Sequence, residues 1–284
     1  MSIRRCAGRL PPYSARRAAA PWLELTLTFC ILRLTSRNAT VQKQHVRSLF
    51  DSIAGRYDLL NHLLSAGIDA YWRRRAISRL RPVSGARILD VATGTADFAI
   101  AAARLAPREI VGVDIAEEML ARGRKKLSAR GLSGLIALRK GEAERLPFAD
   151  GAFDAAIVAF GARNFEDLDA GLAEMRRVLR PGGKLLVLEF SRPARFPVRQ
   201  IYMFYFLRVL PFVGHLVSGN SEAYAYLPAS VMAFPEGEAF LAHVTRAGFT
   251  HAAAERLTFG IASIYTAGTP ADDSAPDISR TMTR

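Results

Sequence analysis

The sequence predicts an α/β fold: a mainly parallel seven-stranded sheet flanked by helices, with a helical cap on its N-terminal side. Three observations carry this. From residue 86 onward, short apolar runs alternate with amphipathic stretches, the pattern of strands joined by right-handed helical crossovers. The first run, Ile88-Leu-Asp-Val-Ala-Thr-Gly94, ends in a glycine turn, and the next, Ile110-Val-Gly-Val-Asp114, ends in an acid. Their separation of about twenty residues suits an α/β nucleoside site. Finally, Pro181-Gly-Gly183 stops a helix and turns the chain into the apolar run Lys184–Phe190.

Taken in order, Gln42–Leu80 reads as helical. Leu49, Phe50, Ile53, Tyr57 and Leu60 form one apolar face, Trp72, Ala76, Ile77 and Leu80 continue it, and Gly67 interrupts it. Strands are expected at 86–91, 109–114, 135–140, 153–160 and 183–191, and helices at 96–106, 116–130 and 168–180. An apolar stretch, Ile201–Val217, is broken by Pro211 and Gly214, and Pro235 opens a helix to Ala247. Strands at 250–256 and 258–267 close the sheet as a hairpin around Thr258-Phe-Gly260. Residues 268–284 are polar and Pro-containing, a tail expected to be disordered.

A chain of 284 residues, half of them hydrophobic, accommodates one domain with appendages and a sizeable core. The domain is expected at 41–267, preceded by a basic extension, 1–40, without predicted order. That extension carries much of the net charge of +13, and Arg73-Arg-Arg75 adds to it. No series of base-stacking aromatics accompanies the charge, which argues against a nucleic-acid partner. Cys6 and Cys30 both precede the core and have no His or Cys partner at ligand spacing, so neither a disulfide framework nor a metal site is expected. A reducing, cytoplasmic compartment fits. Arg4–Arg17 followed by Trp22–Leu34 superficially resembles a secretory leader, yet the apolar run is short, contains Glu24 and lacks a small-residue cleavage site. Two readings remain: a helix lying on a membrane surface, or translation that begins near Val41.

The motif around Gly94 points to a ligand. A glycine lets the backbone approach an adenosyl group closely, and a carboxylate at the next strand tip, Asp114, can accept from both ribose hydroxyls. A dinucleotide needs repeated glycines to seat its pyrophosphate. Here Gly94 is followed by Thr95, Ala96 and Asp97. An acid in the first helical turn repels a pyrophosphate and favours a cation such as the ammonium or sulfonium of S-adenosyl-L-methionine. The plainer reading of Asp97 is a helix cap.

These segments, with Gly141-Glu-Ala-Glu-Arg-Leu-Pro147, Phe153-Asp154 and Leu179-Arg-Pro-Gly-Gly183, resemble a Rossmann-like class I S-adenosylmethionine-dependent methyltransferase. Three further segments are more specific: Tyr57–Trp72, Phe160-Gly-Ala-Arg-Asn164 and Leu186–Ser191. Together they resemble the menaquinone/ubiquinone biosynthesis C-methyltransferases over about 45–267. The resemblance implies methyl transfer to a ring carbon of a polyprenylated hydroquinone. The wording of Gly94–Asp97 and Leu60–Ser65 leans toward demethylmenaquinol, with a benzoquinol of the ubiquinone pathway as the near alternative. A small-molecule or sterol methyltransferase, and a cofactor-binding scaffold subunit of a quinone-synthesis complex, are the other readings. Phe160–Asn164 stands where an RNA methyltransferase would carry an Asn-Pro-Pro-Tyr-type loop.

The resemblance also implies that Thr95, Asp114, Glu142 and Ala143 contact the cofactor, beside Gly94 and Asp97. Ala159 stands where some relatives carry Ser, and its methyl group cannot hydrogen-bond. Arg163 follows the fourth strand at the carboxyl edge, where its charge would lower a phenol's pKa, and Asn164 could orient a hydroxyl. The competing reading pairs Arg163 with Glu166 or Asp167. The base is expected to be His62 or Asp58, unless these are a solvent-facing residue and a helix cap. Tyr57 either walls the ring pocket or belongs to the core. Ile201–Val217 suits an isoprenoid tail or a dimer-forming helix, and Arg208 and Pro211 argue against a membrane span. A lipid substrate implies peripheral contact with the inner membrane face, aided by the basic charge.

Overall fold

The structure, a computed structural model, describes residues 48, 51, 65, 67–80, 85–209 and 221–271, with 221–225 as backbone alone. The expected extension 1–40 lies outside them. The first full helix, α1 (Ile68–Ile77), starts at Gly67, whose φ of 76° is a left-handed value that glycine adopts freely. Then follow β1 (Arg87–Val91), α2 (Asp97–Ala102), β2 (Glu109–Asp114), α3 (Glu117–Ala129), β3 (Ile136–Lys140) and β4 (Phe153–Ala159). Next come α4 (Leu168–Val178), β5 (Leu179–Phe190) and α5 (Val198–Phe204), which runs into a π-helical turn at Tyr205–Val209. The chain finishes with α6 (Ser221–Ala233), α7 (Glu238–Arg246), β6 (Thr250–Leu257) and β7 (Ala262–Gly268).

The strands form one seven-stranded sheet in the order β3-β2-β1-β4-β5-β7-β6. Pairing is parallel from β3 to β5, while β7 is antiparallel to both β5 and β6. The expected hairpin around Thr258–Gly260 is present, with β7 inserted beside β5. Strand order reverses between β1 and β4, the position where open α/β sheets leave a crevice at their carboxyl ends.

Strand alternation builds the core. Ile88 packs with Ile110, Ile157 and Leu186 on one face, and its neighbour Leu89 packs with Val111, Ala156 and Val187 on the other. All eight are almost wholly buried, so the strands read as continuous apolar runs rather than alternating ones. On the Ile88 face, α1 contributes Trp72, Ala76 and Ile77. Arg75 and Arg79 tie that helix to Glu255 of β6 at 2.9 and 2.6 Å, and Trp72 Nε1 donates to Thr258 Oγ1 at 2.7 Å.

Several boundaries differ from expectation, and the last strand, expected from 258, begins at Ala262 after a 3-10 turn at Thr258–Gly260. The helix expected to reach residue 180 stops at Val178, because Leu179 already pairs with Phe153. Arg180–Gly183 is a bulge inside β5, and regular pairing resumes at Lys184 opposite Ala155. The last helix begins at Glu238 rather than at Pro235, after Gly237 with φ 59°. Beyond β7, Thr269 N donates to Gly183 O and Gly182 N to Pro270 O, so the chain stays pinned to that bulge. No helix among the described residues is long and apolar enough to cross a membrane.

Candidate active site

A cleft of about 960 Å³, counted out to its open mouth, lies at the carboxyl ends of β1, β2 and β4. The turn after β1 shapes its floor. Ala92 (φ 53°), Gly94 (φ 56°) and Ala96 (φ 69°) all adopt left-handed backbone, and Phe160 (φ 55°) does so on the opposite side. Alanine and phenylalanine hold such conformations only where the surroundings enforce them, a concentration of strain typical of ligand sites. The close approach of the two loops is one cause: a Cβ on Gly161 would sit 2.6 Å from the Ala92 Cβ. A Cβ on Gly94 would meet nothing within 4 Å, because it would project into open space.

Two acids govern the electrostatics. Asp114, at the tip of β2, accepts from the backbone N–H of Gly94 at 2.8 Å and of Ala116 at 2.9 Å. It thereby clips the β1 turn to β2 while keeping lone pairs on both oxygens. Burial raises its pKa. Asp90 is 1% exposed and accepts through Oδ2 from Thr93 Oγ1 at 2.6 Å and Ala99 N at 3.1 Å. Its Oδ1 is buried without a partner among the described residues. Burial, with the neighbouring Asp114 charge added, pushes its pKa up to about 7 despite those hydrogen bonds.

The structure brings most of the expected cofactor residues together. Gly94, Thr95, Asp97, Asp114 and Ala143 all line the cleft, and so does Ala159. Asp97 does not cap α2. Ala96 holds the cap position, and Asp97 pairs at 2.7 Å with Lys126, which also reaches Thr95 Oγ1 at 3.0 Å. The acid thus faces the cleft with part of its charge answered from α3. Glu142 departs from expectation: it is exposed and outside the lining, on a turn closed by a backbone bridge to Arg145. Its neighbours Gly141, Ala143 and Glu144 hold the wall.

One lining residue, Phe160, belongs to a cluster of aromatic rings. The Phe160 and Phe190 rings lie 4.5 Å apart, and Trp72 approaches them at 6.0 and 6.1 Å. Arg73 lies 5.8 Å from the Phe160 ring centre and Arg163 5.4 Å from that of Phe190.

Asn164 lines the cleft, and its Oδ1 accepts from the Tyr226 hydroxyl of α6 at 3.0 Å. Arg163 is not in the lining, and its partner is neither Glu166 nor Asp167. Its Nη1 donates to Glu189 Oε1 at 3.0 Å and to the Phe160 carbonyl, with the two side chains 5% and 0% exposed. Asp167 instead caps α4 by accepting from Ala170 N at 3.0 Å. Tyr57, Asp58 and His62 lie outside the described residues.

Sequence reasoning passed over Lys126, Tyr226 and Glu189 as site residues. For Glu189 a signal existed: it is the lone acid in the apolar run Leu185–Phe190, and an acid buried in a strand needs a cation. Asp90, the lone polar residue of β1 after Arg87, carries the same signal.

The donor set suits S-adenosylmethionine. Open space at Gly94 admits a flat group against the backbone, Asp114 retains acceptors for hydroxyls, and the orphaned Oδ1 of Asp90, in a lining that also holds Asp97, favours a cationic ligand. A model of the ubiE/COQ5 methyltransferase family matches residues 38–269. The chain is 49% identical over 227 residues to a demethylmenaquinone methyltransferase of Bacteroides fragilis, covering 80% of this chain and 93% of that protein. It is 47% identical over 236 residues to a ubiquinone/menaquinone biosynthesis C-methyltransferase of Geobacter sulfurreducens, covering 82% and 92%. Among solved structures, a SAM-dependent methyltransferase from Thermotoga maritima matches with a TM-score of 0.56 at 19% identity, over 78% of this chain and 98% of that one. That likeness is one of fold. By the family model and both relatives, the chain belongs to the ubiE/COQ5 methyltransferase family.

Proposed function

We propose that the protein transfers a methyl group from S-adenosylmethionine to a ring carbon of a polyprenylated hydroquinone, converting demethylmenaquinol to menaquinol. The observation that carries this reading is near-50% identity to a demethylmenaquinone methyltransferase over most of both chains. A cleft at the carboxyl ends of β1, β2 and β4, with Phe160 in its lining, supports it. A benzoquinol is the second reading, favoured by the Geobacter relative, whose name covers both quinones.

When bound, S-adenosylmethionine supplies an electrophilic methyl group. The chain has three tasks around it. Thr95, Gly94, Asp114 and Ala143 position the adenosyl end, with Asp97 and Asp90 toward the cationic end. Phe160, which lines the cleft and packs on Phe190 and Trp72, presents an aromatic face to the flat ring and excludes water. Asn164, in the lining, orients the ring hydroxyl, and Arg163, next to it but outside the lining, supplies positive charge that favours its ionisation, which pushes electron density to the ortho carbon. That carbon would take the methyl group as the methyl–sulfur bond breaks, leaving the neutral thioether, and would then lose its proton to a base, which we assign to His62 or Asp58, with Tyr57 at the ring pocket.

The greasy tail has a matching surface. Buried Tyr202 and Phe206 turn one side of α5 and its π turn inward, leaving Ile201 and Phe204 66% exposed and Phe196 80% exposed. Arg195, Arg199 and Arg208 of the same segment are exposed too. Exposed apolar side chains with cations in the same segment suit an anionic bilayer surface, where the substrate resides. Incubation of purified protein with S-adenosylmethionine and reduced demethylmenaquinone, followed by mass spectrometry, tests the reading. The expected product is heavier by one methylene unit. An unmethylated quinol would overturn the assignment, and methylation of a benzoquinol alone would favour the second reading.

A further inference from the structure

Two hydrogen-bond donors at one end of the sheet lack an acceptor. The Tyr202 hydroxyl on α5 is buried in a residue 7% exposed, and the Nε–H of Arg163 is buried after β4. Neither has a partner among the described residues. They share a neighbour: the Phe190 ring lies 5.4 Å from the Arg163 guanidinium and packs on the cluster of Tyr202, Phe206 and Val231. An unanswered buried donor costs free energy, and these two, one after β4 and one on α5, are close enough for the Arg163 charge to act on the Tyr202 hydroxyl. What both lack is an oxygen acceptor.

We propose that the Tyr202 hydroxyl and the Arg163 Nε–H together hold the ionised ring oxygen of the aromatic substrate, which makes Tyr202 a catalytic residue. This rests on the quinol reading given above. Burial raises the Tyr202 pKa, so its hydroxyl remains a donor across the working pH range. Charges around it come from Arg163 beyond β4 and from Glu236 before α7. Glu236 is already paired with Arg192 at 3.2 Å, and Glu189 with Arg163. Tyr226 on α6 is committed to Asn164, and Tyr205 opens the π turn that follows α5. Neither side chain lines the cleft as it stands, so the ring oxygen reaches both donors only when α5 shifts.

Tyr202→Phe isolates the hydroxyl. In the full chain, steady-state methylation of demethylmenaquinol in detergent micelles is expected to lose ten- to a hundredfold in kcat, with cofactor affinity unchanged. The limb on which the rate rises with pH moves to higher pH, because the phenol is acidified less. The melting temperature stays level or rises, since an unpaired hydroxyl has been removed from the interior. Tyr205→Phe, in the π turn that follows α5, keeps the wild-type rate. An active wild type with a Tyr202→Phe variant of equal kcat and pH profile would overturn this assignment alone, as would equal losses in both variants. A wild type that methylates no quinol would instead remove the function on which it rests.

Discussion

Arg163 and Glu189 meet at 3.0 Å in an ion pair that water scarcely reaches, with side chains 5% and 0% exposed. Glu189 also accepts from the backbone N–H of Phe190 at 2.9 Å and of Arg163 at 3.3 Å, so one carboxylate fastens the loop after β4 to the end of β5. Breaking a buried pair leaves a lone charge, which costs about 3–5 kcal/mol. Arg163→Ala is therefore expected to lower stability by that order as well as turnover, and a lost rate in this variant alone says little about chemistry. The double variant Arg163→Met/Glu189→Gln keeps an acceptor for Phe190 N–H and carries no charge. It should recover most of the stability in urea titrations while methylation remains at least tenfold down. Recovery of both would reduce Arg163 to a structural part.

Gly94→Ala separates room for the cofactor from backbone strain. The new Cβ meets no protein atom within 4 Å, so the fold should lose only the left-handed penalty, about 1 kcal/mol. Cofactor affinity, measured by calorimetry, should fall far more, at least tenfold, because that methyl group projects into the cleft. Equal affinity in variant and wild type would move the ligand away from this turn.

Those two sites differ in how well the sequence foretells them. Gly94 and Asp114 are legible because a strand, a tight turn and the next strand tip are local, and parallel pairing of β1 with β2 places them side by side. The alternation that sends Ile88 and Leu89 to opposite faces is equally local. Glu189 and Arg163 are 26 positions apart, and only the register of β4 against β5 brings them together, Ala159 opposite Leu188. Charge spacing along the chain pointed to Glu166 and Asp167 instead. Lys126 reaches Asp97 across α3, and Tyr226 reaches Asn164 over 62 residues, contacts that no short pattern encodes. The early end of α4 at Val178 has the same cause, since pairing with Phe153 overrides the local helical pattern.

Asp114→Asn tests the acid at the tip of β2 with little change of shape. The amide keeps one acceptor for the clip to Gly94 or Ala116 but loses the charge and the second acceptor. Cofactor affinity is expected to drop by about 1–3 kcal/mol, the scale of a hydrogen bond to a charged group. Unchanged binding by calorimetry would remove Asp114 from the cofactor site.

Asp90 makes both stability and cofactor binding depend on pH. Its pKa stands at about 7 in the folded chain against 3.8 for a free carboxyl, chiefly through burial. Between those values the native state holds a proton that the unfolded state has released. Stability therefore falls as pH rises through that window, by at most about 4 kcal/mol for three units. Asp90→Asn, which keeps an acceptor for Thr93 and Ala99, should flatten this slope and be more stable than wild type at pH 8. Binding should run the other way. A cationic cofactor favours ionised Asp90, so affinity for S-adenosylmethionine should rise as pH increases through 7, with proton release detectable by calorimetry in buffers of different ionisation enthalpy. The neutral sulfur of S-adenosylhomocysteine should weaken that dependence, and the Asn variant should abolish it. A pH-independent affinity in the wild type would show that Asp90 does not sense the ligand's charge.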